Sequence, residues 1–89
     1  MIITLRKITN ECYNNPNSRF YKKCGNYEVL RNHYLIIHKY YGSTICIVNL
    51  NSKQFSLYSN GYNSRLTTSQ LNYLKEFYKN KKFKLRFRN

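Results

Sequence analysis

Residues 34–58, YLIIHKYYGSTICIVNLNSKQFSLY, decide the fold. Tyr34 to Tyr40 and Thr44 to Leu50 are rich in β-branched and aromatic residues, with the turn signal Tyr41-Gly42-Ser43 between them. Asn51-Ser52-Lys53 then leads into Gln54 to Tyr58, a spacing that predicts a tight hairpin. Short β runs at this spacing point to an antiparallel meander rather than to parallel β-α-β units. Thr44 to Leu50 is apolar on both sides, Ile45 and Ile47 against Cys46, Val48 and Leu50, as a central strand requires. Gln54 to Tyr58 alternates instead, with Phe55 and Leu57 inward and Gln54, Ser56 and Tyr58 outward, which predicts a half-exposed strand.

Upstream, the same pattern extends through Tyr27 to Leu30, with Arg31-Asn32-His33 as the turn, and Phe20 to Cys24, ended by Gly25-Asn26. Residues 10–18 hold Asn14, Asn15, Pro16, Asn17 and Ser18 and predict the longest loop. Before it, Ile2 to Ile8 alternates weakly and carries β-branched residues, so a short first strand is expected.

Downstream, Asn60-Gly61 supplies a position for positive φ and predicts a turn. Thr67 and Gln70 have the spacing of a capping box and Leu66 and Leu71 that of a hydrophobic staple, so a helix is expected over 68–79. Leu71, Leu74, Phe77 and Tyr78 fall on one side of it, enough to dock on one sheet face. Lys79, Lys81 and Lys82 complement the negative end of the helix dipole, and Asn80 is expected to take the left-handed conformation that ends it. Residues 82–88 alternate, Phe83, Leu85 and Phe87 against Lys82, Lys84, Arg86 and Arg88, and predict a basic strand or arm. At about 3.3 Å per residue its four cations would line up at roughly 6.6 Å intervals, near the phosphate spacing of a single strand. The same charges would equally protect an edge strand from aggregation. The expected fold is therefore one α+β domain over 1–89: an antiparallel sheet of four to six strands, one C-terminal helix on one face and a basic C-terminal strand.

Charge narrows the function. Sixteen Lys and Arg stand against three carboxylates, a net charge of +13, which points to a polyanionic partner. An anionic membrane surface is a weaker fit, because no basic amphipathic helix or lipidation signal is evident and Met1 to Leu5 is too short an apolar stretch for a signal peptide or a span. Cys12, Cys24 and Cys46 lack any metal-like spacing and read as reduced thiols, with Cys46 a core residue. No cofactor is expected.

Catalysis is constrained by the inventory. The chain has no Asp, and Glu11, Glu28 and Glu76 fall on three separate segments, so neither a two-metal nuclease nor a glycosidase pair is supplied. His33 and His38 straddle a turn and a strand and do not make a metal pair. A metal-independent RNase of toxin type needs no carboxylate, and His38, Tyr40, Arg65 and a C-terminal Arg are its candidates. A strand-first order argues against it, since those toxins begin with a helix. Binding uses the same residue types: Arg65, Lys79, Lys81, Lys82, Lys84, Arg86 and Arg88 for phosphates, and Tyr34, Tyr40, Tyr58 and Tyr62 for stacking on bases. The helix carries few groups suited to base reading, so binding without sequence specificity is expected.

The Tyr41-Gly42-Ser43 turn, then Asn60-Gly61-Tyr62-Asn63-Ser64-Arg65 and Thr67-Thr68 leading into Leu71-Asn72-Tyr73-Leu74, resembles a family of small uncharacterised tailed-bacteriophage proteins over about Tyr27 to Phe77. Tyr62 stands where that family more often has Trp. The resemblance implies a viral protein in the host cytoplasm and no particular activity. In that setting the expected function is binding of DNA, RNA or a host nucleoprotein; an inhibitor of a host defence system, of anti-CRISPR type, is the second reading and the RNase the third.

Overall fold

A computed structural model describes residues 2–15, 19–59 and 65–88. In chain order these form α1 (Ile2–Tyr13), β1 (Arg19–Cys24), β2 (Tyr27–Asn32), β3 (Leu35–Tyr40), β4 (Ser43–Asn49), β5 (Gln54–Leu57), α2 (Arg65–Asn80) and β6 (Lys84–Arg88). The fold is α+β, with one six-stranded sheet in the order β1-β2-β3-β4-β5-β6. Neighbours from β1 to β5 are antiparallel, whereas β6 pairs with β5 in parallel.

The N-terminal segment corrects the expected first strand: Ile2–Tyr13 is a helix. Leu5, Ile8, Thr9 and Cys12 are all buried there, at the i, i+3, i+4, i+7 spacing of one helical face. The β-branched residues that suggested a strand carry only a weak propensity, which burial of this stripe overrides. The helix also occupies part of the 10–18 segment expected as loop. Its end is capped from the sheet, where the Arg31 guanidinium donates to Cys12 O in the last turn at 3.4 Å and to Asn15 O just beyond the helix at 3.2 Å.

Both helices meet the same face of the sheet, α1 over β1 and β2 and α2 over β4, β5 and β6. One core lies between, filled by Leu5 and Ile8 from α1, Leu74 and Tyr78 from α2, and Val29, Ile36, Cys46, Val48, Phe55 and Leu57 from the strands. Tyr13 joins the helices, edge-on to Phe77 at 5.7 Å and to Phe83 at 6.1 Å. The expected inward pair Phe55 and Leu57 is buried, but Ser56, expected outward on a half-exposed strand, is buried too, because β5 is flanked on both sides by β4 and β6. In β4 a register shift opposite His38 and Lys39 leaves Ile45 as an extra residue, so Ile45 and Cys46 are both buried while Ile47 faces the other side.

The second helix starts at Arg65, before the expected Thr67 cap, and its last residue is Asn80. It ends in a Schellman motif: Lys82 N–H donates to Lys79 O at 3.0 Å and Phe83 N–H to Tyr78 O at 2.9 Å, with the Phe83 and Tyr78 rings 5.6 Å apart. The left-handed residue is Lys82, at φ 71°, rather than Asn80. By crossing the sheet, α2 returns the chain to the start of β5, so β6 runs parallel to it and closes a β-α-β unit. The Asn60-Gly61 turn lies outside the described residues. Among the described residues no helix is long and apolar enough to cross a membrane.

Candidate nucleic-acid interface

Lysines converge where the α2 C-terminus meets the β4–β5 turn. Asn49 Oδ1 accepts from the N–H groups of Asn51 and Ser52, both at 3.0 Å, and this turn delivers Lys53 in the left-handed region at φ 57°. Lys84 N–H donates to Lys53 O at 2.8 Å, seating the start of β6 beside it. Lys79, Lys81 and Lys82 leave the helix end next to this junction, and all five lysines are exposed. Beneath them is an aromatic floor. Lys53 Nζ lies 5.0 Å from the Phe83 ring centre, and Lys81 Nζ lies 5.2 Å from Tyr13 and 5.5 Å from Phe77, so these ammonium groups rest over aromatic faces on residues that stay exposed.

Among the described residues no carboxylate forms an ion pair with the lysines of this corner. Glu11 pairs with Lys22 at 3.0 Å, the one ion pair among the described residues. Glu28 accepts from Tyr21 Oη at 2.8 Å, on the far strands. Glu76 is exposed on α2.

The expected site residues divide. Lys79, Lys81, Lys82 and Lys84 come together, and Lys53 joins them although its sequence context signals only a turn. The single row of four cations does not form. Lys82 precedes the strand as the helix cap, and a register shift between Phe55 and Ser56 breaks the alternation of β6. In consequence Phe87 aligns with Ser56, on the face away from the helices, and stacks edge-on to Tyr58 at 5.6 Å. Arg88 aligns with Leu57 and reaches α2, donating to Asn72 Oδ1 at 3.4 Å. Arg86 stays exposed and borders a depression on the helix-free face. Tyr40 stands at the opposite end of β3 from the lysine corner, half-buried against Tyr41 at 4.7 Å. Tyr34 is exposed in the β2–β3 turn. Tyr62 and the side chain of Arg65 lie outside the described residues.

His38, the candidate general base, is fully buried. Its Nδ1 is 2.5 Å from Tyr27 Oη and its Nε2 2.7 Å from Tyr78 Oη, while Thr9 Oγ1 lies 3.4 Å from Tyr27 Oη. Burial holds the imidazole neutral, with its pKa lowered to about 3. A neutral ring has one donor and one acceptor nitrogen, so one phenol donates to it and the other accepts. Burial likewise pushes the Tyr27 and Tyr78 hydroxyls well above their ordinary range. This polar chain ties α1, β2, β3 and α2 together inside the core and offers a substrate no imidazole. The order of elements, by contrast, is helix-first, which removes the objection to the RNase drawn from a strand-first order.

The thiols are free: Cys24 is exposed, and Cys12 and Cys46 are buried. Burial raises the Cys12 thiol to about 11 and the Cys46 thiol higher still. No protein-family model, curated protein or solved structure matches the chain.

Proposed function

We propose that this protein binds nucleic acid, largely without sequence specificity, through the corner formed by Lys53, Lys79, Lys81, Lys82 and Lys84, as a small accessory protein of a phage acting in the host cytoplasm. The observation that carries the reading is the placement of Lys53 and Lys82. Each sits at positive φ, where glycine is the favoured residue, and the two meet at one corner. His33 and Tyr41 also sit at positive φ, each in a separate turn, whereas the two lysines share one corner, and paired strain at cations is what a functional surface under a stability cost looks like. The lysines there have no carboxylate partner among the described residues, so a phosphate backbone supplies the missing counter-charge.

Fluorescent DNA and RNA, single- and double-stranded, titrated across a salt series test this. Changing Lys53, Lys79, Lys81 and Lys82 together to Gln should weaken binding and reduce the slope of log K against log salt by about 3 to 4, at roughly 0.7–0.9 per phosphate contact. An unchanged slope would remove the corner from the site. Negligible binding to all four probes by the unmodified protein would instead favour a protein target, as in an inhibitor of host defence.

A further inference from the structure

Among the described residues both helices lie on one face of the sheet and neither lies on the other. Across that open face the strand registers align Tyr21, Leu30, Ile37, Ile47, Ser56 and Phe87 into one row. The three aliphatic residues at its centre are half-buried, and the aromatic rings at its ends are 61% and 42% exposed for Tyr21 and Phe87. Five inter-strand steps of about 4.8 Å make the row roughly 24 Å long. Cations flank it: Arg19 and Lys84 lie in the register row on one side, Lys23 and Lys39 on the other, and Arg86 beside Ser56. Among the described residues Glu28 is the one carboxylate on this face, and it is engaged by Tyr21. A depression of about 190 Å³ opens between Leu35, Ile47, Gln54, Ser56 and Arg86.

We infer that the open face is a platform for unpaired bases, so that the nucleic acid this protein prefers is single-stranded; the inference rests on the binding function proposed above and deepens it. A strand of unpaired nucleotides matches the surface term by term. Its bases present flat apolar faces to Leu30, Ile37 and Ile47 and stack on Tyr21 and Phe87, while its phosphates meet Arg19, Lys23, Lys39, Lys84 and Arg86. The depression, lined by Leu35, Ile47, Gln54, Ser56 and Arg86, combines apolar surface for one base with the polar side chain of Gln54 for its edge and the Arg86 cation for the adjoining phosphate. A duplex cannot use such a row, because its base faces are already stacked on one another. A second copy of the chain is disfavoured by charge, since pairing two such faces would bring five cations of each against five of the other with one engaged carboxylate apiece. Lys84 borders both the row and the lysine corner, so one strand can run from the corner onto the sheet.

Isoleucine methyl groups provide the test, because Ile37 and Ile47 lie on the open face while their neighbours Ile36 and Ile45 are buried on the other. The full chain, labelled at isoleucine methyls, is titrated with a twelve-nucleotide oligothymidine, the equivalent oligouridine and a twelve-base-pair duplex. Single strands should shift Ile37 and Ile47 and leave Ile36 and Ile45 in place. Tyr21→Ala and Phe87→Ala, both at exposed positions, should each weaken single-strand binding roughly 5-fold or more, since stacking contributes about 1–3 kcal/mol per base, with little change in duplex binding or in melting temperature. Salt-sensitive binding that leaves Ile37 and Ile47 unmoved, or equal affinity for strand and duplex, overturns the platform while leaving the lysine corner intact. Shifts of Ile37 and Ile47 that depend on protein concentration without nucleic acid overturn it in favour of a second copy. Absence of binding to any probe overturns the platform and the proposed function together.

Discussion

Acidification should destabilise this protein through one imidazole. His38 is fully buried between Tyr27 and Tyr78 and beside Cys46, groups that are all uncharged in the acid range, so no nearby carboxylate offsets the cost of protonating it. Its folded-state pKa is about 3, against an ordinary 6.5. Between those values the unfolded chain binds a proton that the folded chain does not, so stability falls as pH drops below 6.5. The loss is about 1.4 kcal/mol per pH unit, on the order of 3 kcal/mol by pH 4.5, set against a total of roughly 5–15 kcal/mol for a domain. Urea unfolding followed by circular dichroism at pH 7.5, 6.5, 5.5 and 4.5, at fixed ionic strength, reads this slope. His38→Gln keeps a donor and an acceptor and should flatten it while lowering stability at neutral pH. Direct observation of the ring by NMR in the unsubstituted protein gives an independent reading, with no titration of His38 expected down to about pH 4.5. A His38 midpoint near 6.5, or equal slopes in the two proteins, would refute the reasoning.

Two further outcomes follow from the backbone and the thiols. Lys82→Gly relieves the left-handed strain at the α2 cap, worth about 1–2 kcal/mol, less up to about 1 kcal/mol for the added chain entropy of glycine. A net gain near 1 kcal/mol would raise the melting temperature by roughly 4–8 °C while weakening nucleic-acid binding; a lower melting temperature would contradict the cap geometry. A maleimide at pH 7.5 should modify Cys24 rapidly and Cys12 and Cys46 only on addition of denaturant, because the latter two are buried with raised pKa values. Rapid modification of all three thiols in the native protein would place the core differently.

The meander was legible because its strands announce themselves by composition and its turns by length. Phe55 and Leu57 alternate with polar neighbours, and Leu71, Leu74 and Tyr78 recur at helical spacing, so each element could be assigned from its own residues. The first helix was not. Ile2 to Ile8 fits weak strand alternation as well as it fits a helix, and the deciding residues, Thr9 and Cys12, look polar or neutral until the partner face is known. The setting of His38 was illegible for a related reason: a histidine in a strand shows nothing of whether two phenols, one of them forty residues away, will enclose it.

The candidate site divides along the same line. Net charge of +13, the lysines at the end of α2 and the aromatic content are properties of the chain itself, and the proposal of a polyanionic partner could be drawn from them without reference to any contact. Where those groups stand depended on tertiary structure. Lys53 joins the corner only because β6 pairs in parallel with β5, and the expected cation row is broken because Lys82 caps the helix and a bulge in that pairing turns Phe87 to the open face and Arg88 to the helix. Periodicity is local and can be read from a segment, whereas strand register and the packing of α1 arise from residues far apart in sequence, so the chain's composition determined what kind of surface it carries and the sheet alone decided its shape.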